Sequence, residues 1–303
     1  MSGALQVFYA NFRSFVSGAK AIFGFGTSGT SFIDLYSNTG VFVSTTSGVG
    51  TARTSLAAAG YGTDKAIFGY GYTSAAVSMT NLVSNTGVVG NDVTGVGTAR
   101  SALAAAGYGT DKAIFGYGAI GAITSITNLV SNTGVVSTDV TGVGTARSGL
   151  AAAGYGGDKA IFGFGNNGTV NVSITNLVSN TGVVAANQVA LTGTIRYSLA
   201  AAGYGGDKAI FGFGYGLAGA LFMSNLVSNT GVVAADIVNS TLQGRGSPAA
   251  TRYGIDTAVF AYGTSGSALS VSSLVSNTGV LAANISFVVG VTKRDNLAGA
   301  SYG

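Results

Sequence analysis

Short apolar stretches alternate along the whole chain with turns rich in Gly, Asn, Thr and Ser. In Lys65–Gly71, KAIFGYG, β-branched and aromatic residues alternate with Ala and Gly, which predicts a strand. Leu56–Gly60, LAAAG, carries helical propensity because Ala is the best helix former. Five residues between glycines cannot nucleate a helix, however, so this stretch too is predicted as a strand. SMTNLVSN, from Ser78, predicts a third strand that ends on Asn-Thr-Gly, where Gly accepts the positive φ of a tight turn. VVGNDVTGV, from Val88, predicts a fourth.

This four-strand pattern recurs. SNTG begins at Ser37, Ser84, Ser131, Ser179, Ser228 and Ser276, in steps of 47, 47, 48, 49 and 48 residues. Such a period, with turn signals throughout, predicts an all-β repeat fold, either a propeller or a solenoid. The small LAAAG residues favour a propeller, whose innermost strands converge on an axis, and they leave Ile67, Phe68, Tyr70, Leu82 and Val83 further out between sheets. The ends give a sharper test. Arg recurs at seven unit starts, Arg13, Arg53, Arg100, Arg147, Arg196, Arg245 and Arg294, against six SNTG turns. Arg294 is followed by a first strand with no second, while the first unit has too few residues between Arg13 and Lys20 for its own inner strand. The expectation is a six-bladed β-propeller of four-stranded blades over residues 13–303, closed by the C-terminal strand completing blade one beside Lys20–Gly26. Residues 1–12 form an N-terminal extension.

This arrangement resembles kelch repeats. AIFGYG takes the place of the kelch Gly-pair strand, and Gly97–Arg100 the place of the Pro/Arg corner. The kelch fourth-strand Trp and third-strand Tyr-Asp are missing, so adaptor roles are not carried over. The wording NLVSNTGVV, GVGTAR, LAAAGYG and DKAIFGYG is similar to kelch-like repeat proteins encoded by marine tailed phages. That resemblance implies a virion component with other virion proteins as partners.

Composition narrows the chemistry. The chain has no His, no Cys and no Trp, and its ten acids are all Asp. Nucleophile systems built on His or Cys are therefore excluded, as are zinc and copper sites of the usual ligands. Closely spaced acids for calcium are lacking, and the Gly-rich strings lack the Lys-Ser/Thr ending of a phosphate loop. No cofactor or metal is expected. A net charge of +4 is a weak bias rather than a nucleic-acid footprint, and no segment reads as a signal peptide or membrane span. The Asp-Lys pairs at Asp64, Asp111, Asp158 and Asp207 read as turn chemistry, or else as a ring of charge at one face of a channel. The arginines read as corner ties that donate to carbonyls.

Recognition is expected where units differ. The stretch after AIFGYG varies most, and Tyr72, Asn166, Asn167 and Tyr215 within it offer amides and flat rings suited to a sugar or protein surface. Phe287 and Val288, before the last arginine, and Phe8, Tyr9 and Phe12 in the extension are candidate docking residues. The expected function is a non-enzymatic structural protein of a phage virion, in the tail or on the capsid, contacting the host surface through a glycan or protein. A free glycan-binding or adhesive propeller is the alternative, and an Asp-dependent hydrolase a weaker one.

Overall fold

The structure, a computed structural model, describes residues 18–27, 31–188, 193–286 and 292–303. Among these residues there is no helix, and the strands form small antiparallel sheets of three and four strands together with two short hairpins. The second repeat shows the plan. Its first strand, Ala57–Tyr61, pairs with Lys65–Gly69, which in turn pairs with Thr80–Val83. The same registers recur in the sheets that start at Ala104, Ala151, Ala200 and Ala249. The first sheet takes its first strand from the far end of the chain: Ala298–Tyr302 lies along Lys20–Gly24, with Lys20 opposite Tyr302 and Gly24 opposite Ala298.

The predicted fourth strand is weaker than its sequence suggests. In the repeats starting at Ala57, Ala104 and Ala151 it contributes isolated bridges only, such as Thr80–Val93 and Val83–Val89. Side chains replace the ladder there. Asn81 Nδ2 donates to Gly90 O at 3.0 Å and to Asp92 Oδ1 at 2.9 Å. Phe42–Thr46, Ile237–Val238 and Ile285–Ser286 do form a fourth strand.

The Phe-Gly-Tyr/Phe-Gly string explains how neighbouring sheets meet. Phe115 is fully buried, and a Cβ at Gly69 of the preceding sheet would lie 2.6 Å from its ring. Gly116 admits Phe162 and Gly163 admits Phe211 in the same way. The aromatic residue that follows adopts a left-handed backbone (φ 61° at Tyr70, 63° at Tyr117), which L-residues visit at a cost. That turn places Tyr70 edge-on to Phe115 at 5.1 Å and beneath the guanidinium of Arg100 at 4.3 Å. The same stack joins Arg53 to Phe25, Arg147 to Tyr117, Arg196 to Phe164, Arg245 to Phe213 and Arg294 to Tyr262, at 3.8 to 4.9 Å. The arginines do donate to carbonyls as expected, for example Arg53 Nε to Tyr70 O at 2.8 Å, but their spacing along the chain does not predict the stacking. Arg13 lies outside the described residues.

Two series of backbone bonds link equivalent residues of successive repeats. Ala102 N donates to Ser55 O, Gly149 N to Ala102 O, Ser198 N to Gly149 O, Ser247 N to Ser198 O and Asn296 N to Ser247 O. Ser55 N then donates to Asn296 O, which returns the series to its start. At the opposite end of the first strands, Gly62 N donates to Asp111 O, and the equivalent bonds run on to Gly303 N with Asp64 O.

The seam between the chain ends has its own chemistry. Where other sheets carry Asn81, Asn128, Asn176, Asn225 or Ser273, the first carries Asp34, fully buried. Its carboxylate pairs with Arg294 and accepts from Tyr262 Oη, and Thr45 Oγ1 donates to it at 2.5 Å. Arg294 Nη1 also donates to Phe25 O at 3.1 Å and Phe32 O at 2.8 Å.

Two outcomes are expected from equilibrium urea unfolding. Asp34→Ala leaves Arg294 buried without its counter-ion and costs about 3–5 kcal/mol, whereas Asp34→Asn, which restores the residue of the other sheets, costs clearly less. Gly116→Ala drives a methyl into the Phe162 ring and costs about 1–3 kcal/mol, and adding Phe162→Leu recovers part of that loss.

Candidate functional site

The first strands surround a narrow passage whose lining changes along its length. Leu56, Leu103, Leu150, Leu199 and Leu297 mark one end, alanines such as Ala58, Ala105 and Ala152 line the middle, and Tyr and Lys residues mark the other. Small side chains predominate here because six strands crowd together, with Thr251, Arg252 and Ser301 as the larger exceptions.

The leucine end carries the variable loops. The second strand runs antiparallel to the first, so it delivers the residues after AIFGYG beside that strand's start. Tyr72 bridges Thr54, Asn166 bridges Ser148 and Tyr215 bridges Tyr197, so these three candidates occupy equivalent positions around one end. Tyr72 is 46% exposed. Tyr215 lies 5.8 Å from Tyr197, centroid to centroid, and its hydroxyl donates to Thr264 O at 3.3 Å. The asparagine amides are turned to local use. Asn166 Oδ1 accepts from Gly168 N, and its Nδ2 donates to Asn171 Oδ1 at 2.9 Å. Asn167 Oδ1 accepts from Thr169 N and Val170 N. Turn-building of this kind is what Asn does in loops. Phe8, Tyr9, Phe12, Phe287 and Val288 lie outside the described residues.

Apolar exposure concentrates in one sector of this end, which the repeat pattern does not announce. The hairpin Tyr215–Gly216 with Gly219–Ala220 lifts Leu217 into solvent at 92% exposure, and Phe222, Ile237 and Val238 are also exposed. The signal in the sequence is YGLAGALF, where the first, second and last units carry TSGTS, YTSAA and TSGSA.

At the lysine end each Asp-Lys pair is a short ion pair, from 2.7 Å at Asp158–Lys159 to 3.3 Å at Asp207–Lys208. The SNTG turn lies alongside: Asn132 Nδ2 donates to Asp111 Oδ2 at 3.1 Å, and Asn229 Nδ2 to Asp207 Oδ2 at 3.0 Å. The Lys159 and Asn180 contacts outweigh desolvation and hold the Asp158 carboxyl below its usual range. Among the described residues no three His, Cys, Asp or Glu side chains gather to hold a metal, and no helix is long and apolar enough to cross a membrane.

A second set of carboxylates clasps neighbouring repeats. Asp139 accepts from Thr98 N and Thr98 Oγ1 of the preceding repeat and from Asn128 Nδ2. Desolvation pushes its carboxyl up, but the Thr98 and Asn128 bonds prevail and the net shift is downward. Asp92 and Asp236 behave alike, while Asn187 fills the role in the fourth repeat.

No protein-family model matches this chain, and no curated protein matches it.

The carboxyl shifts fix the sign of an acid response. A lowered folded value means that these groups contribute stability above the ordinary value of 3.8, which is lost as pH falls through the lower folded values. Denaturation midpoints are therefore expected to stay flat from about pH 7 to 5 and to drop below about pH 4. Asp139→Asn, which copies the Asn187 of the fourth repeat, keeps the fold and shows a shallower drop in the same titration.

Proposed function

We propose that the chain is a closed six-bladed, kelch-like β-propeller that serves as a non-catalytic recognition module on a tailed-phage particle. The closed form is supported by the backbone bonds that run Ser55, Ala102, Gly149, Ser198, Ser247, Asn296 and back to Ser55, and by the pairing of Ala298–Tyr302 with Lys20–Gly24. In this reading the six sheets are blades, and the C-terminal strand completes the first.

The recognition role rests on one observation: a near-invariant frame delivers dissimilar loops to a single end. Tyr72, the Tyr197–Tyr215 pair and Leu217 stand there on the same scaffold positions or close beside them. Exposed flat rings with polar tips fit the apolar faces and hydroxyls of a surface sugar. Residues that differ from blade to blade are free of the packing demands that fix the rest. The particle location rests on the resemblance of the repeat wording to marine-phage kelch-like proteins.

The test joins particle and loop. Antibodies raised against the purified protein should decorate intact phage particles in negative-stain electron microscopy. The purified protein should also bind host cells, with the Tyr72→Ala/Tyr215→Phe variant binding at least tenfold more weakly while its circular dichroism spectrum stays that of the folded protein. Undecorated particles would remove the virion role, and equal binding by the variant would remove this face as the recognition surface.

A further inference from the structure

We propose that the lysine end of the passage is a binding site for a small multivalent oxyanion, of oligophosphate or polycarboxylate type. The mouth encloses a cavity of about 200 Å³, a size suited to such an ion rather than to a larger organic ligand. Lys65, Lys112, Lys159, Lys208 and Arg252 line it, against a single lining carboxylate, Asp158.

The acids of these turns are held on the side of the SNTG turns. Asn132 and Asn229 bind one oxygen of Asp111 and Asp207, and Lys112 and Lys208 bind the other. The cations therefore face the cavity, while Asp64, Asp111 and Asp207 stay outside its lining and Asp158 alone shares it. An ammonium has three donors, and each of these lysines commits one to its Asp. The lysine side chains keep 43–45% of their surface open to solvent, so the remaining donors are available.

Arg252 is the departure from symmetry that turns a ring of solvated pairs into a site. Four first strands read AAAGY, with Gly60, Gly107, Gly154 and Gly203 at the fourth position, but the fifth reads AATRY. Thr257 stands in that repeat where the others carry Lys, so the positive charge has moved from the turn into the passage. Gly203 of the adjoining strand makes room for it: a Cβ there would lie 3.3 Å from Arg252 Cδ. Arg252 Nη2 donates to Ile255 O at 3.0 Å, which anchors one edge of the guanidinium. A guanidinium carries five donors, and its planar fork matches oxyanion geometry. Several cations converging on one concavity focus a field that no single surface Lys produces. This assignment does not depend on the recognition role proposed for the opposite face.

Isothermal titration of the purified full chain with sodium pyrophosphate, and separately with citrate, tests the site. Saturable binding near one ion per chain is expected, weakening as salt rises. Arg252→Gly, which installs the residue of the other repeats, should weaken binding at least tenfold. Lys112→Gln/Lys159→Gln should do the same, and covers the case in which the first variant fails to fold. Lys293→Gln, at an exposed lysine outside this lining, should leave binding unchanged. Binding of pyrophosphate without citrate would narrow the ligand to phosphates, and the reverse to carboxylates, either result upholding the site. No saturable binding of either anion at millimolar concentration, or equal binding by wild type and both passage variants, would overturn it.

Discussion

Six arginines, each buried and each laid over an aromatic ring of the preceding repeat, are the constraint on which the rest of this structure depends. A buried guanidinium is costly to desolvate, and burial pushes Arg245 down to about 9 and Arg53 to about 10. Both stay charged at neutral pH because the charge is met in pieces: a ring face below, carbonyls at the edge, and an amide or carboxylate beyond. Lysine could not replace them, since a point charge neither stacks nor reaches three acceptors in one plane.

The same interaction accounts for features that look unrelated along the chain. The left-handed turn at Phe25, Tyr70, Tyr117, Phe164, Phe213 and Tyr262 exists to put the ring under the next arginine. Glycines on either side follow from it. Gly69 yields to the Phe of the next sheet, and at Gly71, with φ 111°, a Cβ would lie 2.8 Å from Thr54 O. The seam shows how the rule bends without breaking. Ala261 replaces the yielding Gly there, and Phe23 finds its space against Gly299 instead, where other first strands carry Ala. Asp34 adds a full charge to the one junction that joins the two ends of the chain.

Function follows from what this frame leaves free. Packing, stacking and backbone bonds use up nearly every repeated residue, so differences between repeats carry the chemical variety. Apart from the seam and the Asp-to-Asn exchange at Asn187, two places stand out: the loops at the leucine end and the exchange of Gly and Lys for Arg252 and Thr257 at the other. The first supports the proposed recognition face and the second the proposed anion site. Neither needs a catalytic group.

The period of SNTG, the β-branched and aromatic stretches and the orphan first strand after Arg294 were enough to read the strands, the all-β class and the pairing of the chain ends, because each is a local or counting property. The placement of Tyr72, Asn166 and Tyr215 on one end was legible in kind, as variable loops, but not their differing fates. Whether an Asn faces solvent or closes its own turn depends on backbone angles that the sequence does not state. The weak fourth strand, the arginine–aromatic stacks and the inward turn of Arg252 were decided by tertiary structure alone. All three join residues from different strands or different repeats, and a contact between repeats leaves no mark on the spacing within one.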